Sequence, residues 1–212
     1  MPGSRSPLLR TGKSQFIDLI GEANSDRSKW EKRHFEEFAS FDTHMTTDYQ
    51  QYAEYPHIGI DSIEQNTGRI TSYRTVAQDN VKSGKYKFTS ENVIYSKIRP
   101  KLNKVALPTF DGLCSADAYP MRAKPEVCRR EFLAFVLRSH FFLDYIVPLS
   151  IRSRMPKANK EQIAGFTCPI PPLDVQDTFI DFAASVDKSK FKSNNVDATT
   201  SRFAGQPTRI VE

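Results

Sequence analysis

Cysteine is scarce in this 212-residue chain, and what there is carries no metal or disulfide pattern. Cys114, Cys128 and Cys168 are odd in number, show no Cys-x-x-Cys or Cys-His spacing, and imply neither a disulfide framework nor a zinc site. A reducing, cytoplasmic setting is the expectation. No run of about 18 apolar residues is present, and the first residues, MPGSRSPLLRTGKS, hold no apolar core of signal-peptide length, so neither membrane nor export is expected. Metal-dependent nucleases of the common type place a carboxylate two residues before a lysine, and neither Asp-x-Lys nor Glu-x-Lys occurs. An amino-methyltransferase needs an Asn-Pro-Pro-aromatic loop and a glycine-rich cofactor loop; Ile170-Pro171-Pro172-Leu173 is superficially similar to the first but lacks the Asn or Asp that would hold an amine. The four histidines, His34, His44, His57 and His140, share no metal spacing. Catalysis, metal and cofactor are therefore all absent from the expectation.

What is present is enough apolar sequence, 39%, for one full core, with a modest net charge of +5 that favours a polyanion only where the cations cluster. Residues 1–12 read as a flexible leader, and KSQFIDLIGEAN as the last turns of a helix stopped at Gly21. From Tyr55 to Tyr73 the pattern is strand, turn at Asn66-Thr67-Gly68, and strand. From Tyr86 onward another strand places Val93, Tyr95, Lys97 and Arg99 on one face and Ile94, Ser96 and Ile98 on the other, ending at Pro100. RREFLAFVLRSHFFLDYIV is the strongest helix, with Leu133, Val136, Leu137, His140 and Phe141 along one stripe; a buried or boundary histidine is expected at 140. FTCPIPP follows as an apolar strand, and Cys114 and Cys168 read as inert core thiols. Asp174 is placed to cap a final helix whose Val175, Phe179, Phe182 and Val186 form a coiled-coil seam. The tail from 193 to 212 is polar and unpatterned.

Two basic clusters carry the functional signal. KIRPKLNK holds Lys97, Arg99, Lys101 and Lys104, and IRSRMPKANK holds Arg152, Arg154, Lys157 and Lys160, neither with an acid among them. Flexible cations of this kind suit phosphates, because each neutralised phosphate releases condensed counterions. Arginine can also pair with guanine O6 and N7, and asparagine with adenine N6 and N7, which makes Arg99, Arg152, Arg154, Asn103 and Asn159 candidate base readers. The alternatives are solvated loops, and for Lys97 and Arg99 a protected sheet edge.

Three segments in order, YPHIGIDSIEQNTGRI, NVIYSKIRPKLNKVALPTFDGLCSADAYPMR and RSRMPKANKEQIAGFTCPIPPLDVQ with its helix, resemble the specificity subunit of type I restriction-modification enzymes over roughly residues 13–192. The resemblance implies an α/β (α+β) target-recognition domain: a twisted mixed or antiparallel sheet with flanking helices, followed by a projecting C-terminal coiled-coil-type helix. KSQFIDLIGEANSDRSKW resembles the family's junction between a first spacer helix and a second recognition domain. The implied divisions are a leader (1–12), the end of a spacer helix (13–22), the recognition domain (23–172), a spacer helix (173–192) and a tail (193–212). The implied partners are double-stranded DNA and the methyltransferase and endonuclease subunits, which the family docks through its spacer helices. Rival readings are a recognition piece of a fused restriction-modification polypeptide, and a degenerate module that forms a homodimer through the seam.

Overall fold

A computed structural model describes residues 30–151 and 155–186 of the chain. The expected leader, junction helix, distal spacer and tail, and Arg152 and Arg154, lie outside the described residues. The expected mixed α/β architecture is present, built from three small sheets rather than one.

Strand β1 (Lys32–His34) pairs antiparallel with the late strand β11 (Thr167–Pro169), tying the two ends of the described region together. A short helix, α1 (Phe35–Phe38), follows, and Glu37 closes its first turn by accepting from the His34 amide at 2.6 Å. The second sheet has the order β2 (Ala39–Phe41), β10 (Ala118–Ala123), β7 (Asn92–Ser96), β8 (Val105–Ala106), all antiparallel. The third is mixed, with the order β3 (Met45–Thr46), β6 (Lys85–Phe88), β9 (Gly112–Ser115), β4 (Pro56–Ile58), β5 (Arg74–Thr75); β4 and β9 are its parallel pair.

β7 explains why two sheets and the helices pack as they do. Its alternation survives, but both faces are inside: Val93 and Tyr95 join the large core beneath the helices, and Ile94 joins a smaller core with Ile58, Ile63, Phe88 and Cys114. The long strand expected from Tyr86 is two strands in different sheets. The chain crosses between them at Thr89–Glu91, where the Asn92 side chain accepts from the Thr89 amide at 2.7 Å. The expected turn forms at residues 64–69 with Asn66 and Gly68 at positive φ, although it links a 3-10 turn (Ile60–Ser62) and a single Ile63–Ile70 bridge rather than two full strands.

The strongest helix is also divided, into α2 (Arg130–Arg138) and α3 (His140–Ser150), which meet at 57°. Ser139 makes the break: its amide closes α2 on the Val136 carbonyl, and its hydroxyl oxygen accepts from Phe142 N to start α3. The new helix has a new phase, so His140 is exposed rather than on the buried stripe. After α4 (Lys160–Ala164), the last helix, α5 (residues 173–186), begins one residue before Asp174. The Pro172 carbonyl accepts from Gln176 N there, and Asp174 lies inside the first turn rather than at the cap, still on the side of the helix dipole that favours a carboxylate. No single described helix is long and apolar enough to cross a membrane.

All three cysteines are buried and free. Burial pushes the Cys168 thiol up to about 12, and those of Cys114 and Cys128 higher, which keeps them neutral and unreactive as core residues.

Candidate nucleic-acid interface

The two basic clusters lie about 50 residues apart in sequence and meet in space. Beyond β7 the chain leaves the sheet, and Lys97 N donates to Asp117 O at 3.0 Å while Ala158 N donates to Lys97 O at 2.9 Å. Ile98 bridges Lys157, and Arg99 N donates to Pro156 O at 2.8 Å. Arg99 adopts a left-handed conformation, with φ 47°, that turns the chain into the 3-10 segment Pro100–Leu102. Residues 97–101 and 156–160 thus form one continuous surface, backed by the β9–β10 turn and the segment after β2.

Aromatic rings hold two of the ammonium groups in place. Lys97 Nζ sits 4.9 Å from the centroid of Tyr119. Lys160 Nζ sits 5.4 Å from that of Phe41 and 5.9 Å from that of Tyr119, and donates to Thr43 Oγ1. A cation over a ring keeps its charge while losing some freedom, which suits it to receive an anion. Burial pulls the Lys97 pKa below that of an ordinary lysine; Asp117 opposes the shift, and the nearby charges of Lys157 and Lys160 add to it. These three lysines therefore form a true concentration of positive potential. Arg99 and Lys101 are exposed beside them and pair with no described residue, and Lys157 lies 3.8 Å from Asp117.

The remaining candidates are placed otherwise. Asn103 is 2% exposed, with its amide donating to Asn66 Oδ1 and to the Arg138 carbonyl at 3.2 Å. Lys104 is turned inward, donating to the Ile60 carbonyl at 2.8 Å and lying 3.6 Å from Asp61. Asn159 caps α4, its side-chain oxygen accepting from Gln162 N at 2.8 Å. All three have side-chain groups committed to local structure; the Asn103 oxygen is buried without a partner among the described residues. Tyr119, Phe41, Thr43 and Asp117 complete the face and carried no local signal, since a tyrosine in SADAYP reads as packing until a lysine from elsewhere is found over it. No group of three or more His, Cys, Asp or Glu side chains among the described residues is arranged to hold a metal.

The family model for the type I restriction modification DNA specificity domain matches residues 27–197, which takes in both basic clusters, every described strand and all of α2 to α5. The chain belongs to this family. It is 33% identical over 170 residues to the type I restriction enzyme EcoDI specificity subunit of Escherichia coli, a match covering 80% of this chain and 37% of that subunit. In fold it is similar to the HsdS subunit of Thermoanaerobacter tengcongensis, with a TM-score of 0.69 and 22% identity over 82% of this chain and 46% of that one. A chain from a solved structure concerned with complex assembly and conformational transition of the type I R-M system aligns with a TM-score of 0.66 and 20% identity, covering 86% of this chain and 51% of the other. The specificity domain thus spans between about a third and a half of the relatives it matches.

The seam expected on the final helix is in part occupied. Phe179 is 5% exposed, its ring 4.9 Å from Phe135 and 6.1 Å from Phe132 on α2. Gln176, fully buried, fixes the root of α5: its amide nitrogen donates to the carbonyls of Val127 and Pro171, and its oxygen accepts from Arg129 N at 2.8 Å. Arg129 and Asp177 add a bidentate pair at 2.7 and 2.9 Å. Val175, Phe182 and Val186 are only half-buried.

Proposed function

We propose that this specificity domain reads one half of a bipartite DNA target and carries no catalysis of its own. The observation that carries the reading is the convergence of residues 97–101 and 156–160 on one surface, with Lys97, Arg99, Lys101, Lys157 and Lys160 presented together and Lys97 and Lys160 set over aromatic rings. Lysines so placed contact phosphates and fix register, while Arg99, with Arg152 and Arg154 from the second cluster, supplies the guanidinium forks that read guanine edges. Residues 23–172 form the reading unit and 173–192 the spacer helix. The half-buried Val175, Phe182 and Val186 of that helix support docking of methyltransferase and endonuclease subunits, or of a second copy of the chain.

The test is selection of the purified chain against a random duplex library at moderate salt, followed by sequencing of the retained DNA. Enrichment of one short motif of about three to five base pairs is expected. Salt-insensitive or absent retention would remove the DNA-reading proposal. Light scattering separates the two roles of the helix, a monomer arguing for docking of other subunits and a dimer for self-pairing.

A further inference from the structure

One carboxylate stands in the middle of the basic face. Asp117 is at the tip of the β9–β10 turn, and its backbone is pinned on both sides: its amide donates to Ser115 Oγ at 3.1 Å and its carbonyl accepts from Lys97 N at 3.0 Å. The side chain is 47% exposed, and Oδ1 lies 3.8 Å from Lys157 Nζ, beyond hydrogen-bond reach. No described residue donates a hydrogen bond to it. Lys85 and Lys97 both feel its charge. Lys85 is itself committed elsewhere, its ammonium donating to the carbonyl and hydroxyl of Ser83 at 2.8 and 2.7 Å.

A negative group at this position opposes the contact of a phosphate backbone, so its presence on a surface shaped for DNA calls for a compensating gain. A carboxylate can only accept. It cannot bind phosphate, and the base-edge groups that satisfy it are the exocyclic amines. Of these, cytosine N4 is the better match, since it offers a donor alone, whereas adenine sets an acceptor, N7, beside its N6 donor and suits a side chain that both donates and accepts. The two backbone hydrogen bonds fix where the turn presents the Asp117 carboxylate, and the surrounding lysines engage the flanking phosphates.

We infer that Asp117 is a specificity-determining residue of this domain, accepting a hydrogen bond from cytosine N4 in the major groove. The inference rests on the DNA-reading proposal above. It is tested by running the library selection in parallel with the wild-type chain and Asp117→Asn, a substitution that fits an exposed turn, keeps the side chain's shape, removes the charge and turns one acceptor oxygen into a donor. Because Asn accepts and donates, the expected result is a shift at one position of the motif from cytosine to adenine, with about a tenfold or larger change in the ratio of the two bases. An unchanged motif, bound more tightly by the variant, would show Asp117 to be a counter-ion only and would overturn this inference while leaving the DNA-reading proposal intact. Retention by the wild-type chain without any enriched motif would overturn it as well, since the carboxylate would then read nothing. Failure of both proteins to retain duplex would remove the DNA-reading proposal and this inference with it.

Discussion

Tyr95 is 1% exposed, and its ring packs edge-on against Phe142 at 5.5 Å, yet its hydroxyl has no hydrogen-bond partner among the described residues. Burial drives its pKa well above that of an ordinary tyrosine, so the group is a neutral hydroxyl. Desolvating it without compensation opposes folding, and Tyr95→Phe is expected to stabilise the domain by about 1 kcal/mol in urea unfolding. Lower stability would show that the hydroxyl has a partner. Asp42 illustrates the opposite situation. Burial raises its pKa, but donation from the Asn92 amide at 3.0 Å, the His44 ring at 2.7 Å and the Arg122 guanidinium at 3.1 Å outweighs that and holds the carboxyl below its ordinary 3.8. Between the folded and unfolded pKa values the unfolded chain binds more protons, so Asp42 contributes stability above about pH 4 that is lost as pH falls through the lower, folded value. The stability difference between wild type and Asp42→Asn should therefore shrink from about pH 5 down into the acid range. A gap independent of pH would assign the contribution to shape rather than charge.

Elements here are set by where helices are rooted. α5 is held to α2 by Phe179 against Phe132 and Phe135, and its root is fixed just before α2 by Gln176 and the Arg129–Asp177 pair. Phe179→Ala should lower stability by about 3 to 5 kcal/mol and free residues 173–186 to local opening, seen as faster hydrogen exchange across α5 than across α3. Equal exchange in both helices would mean that α5 is held by something other than this contact. The break at Ser139 belongs to the same scale. Hydrophobic periodicity predicts where a helix lies but is blind to a mid-helix serine that closes one segment and opens the next, because the apolar residues on both sides, Leu137 and Phe141, satisfy a single stripe as well as two.

For the whole molecule, the decisive quantity is the clustering of charge. A net +5 spread evenly would give weak, unspecific attraction; gathered into one surface it predicts a steep salt dependence of duplex binding. Replacing Lys97 or Lys160 by alanine should weaken binding similarly on all sequences and reduce the slope of log K against log salt by about 1 for each phosphate no longer neutralised. Lys104→Ala should leave that slope unchanged, since its ammonium is tied to the Ile60 carbonyl. Matching slopes for the Lys104 and Lys97 variants would place the phosphate path elsewhere.

Sequence alone determined the membership in the specificity-domain family, the mixed α/β class, the helical stretch from residue 130, the turn at Asn66 to Gly68 and the two clusters of cations. Each is written in local order: period, turn chemistry, spacing of motifs. Tertiary structure alone decided the rest. The meeting of residues 97–101 with 156–160, the rings of Tyr119 and Phe41 beneath two lysines, the inward turn of Asn103 and Lys104, and the place of Asp117 among cations depend on pairings between distant segments. Charge in a local stretch says that water or a polyanion is near, but the fold chooses which charges share a surface, because backbone hydrogen bonds and core packing fix the strands and turns that carry them.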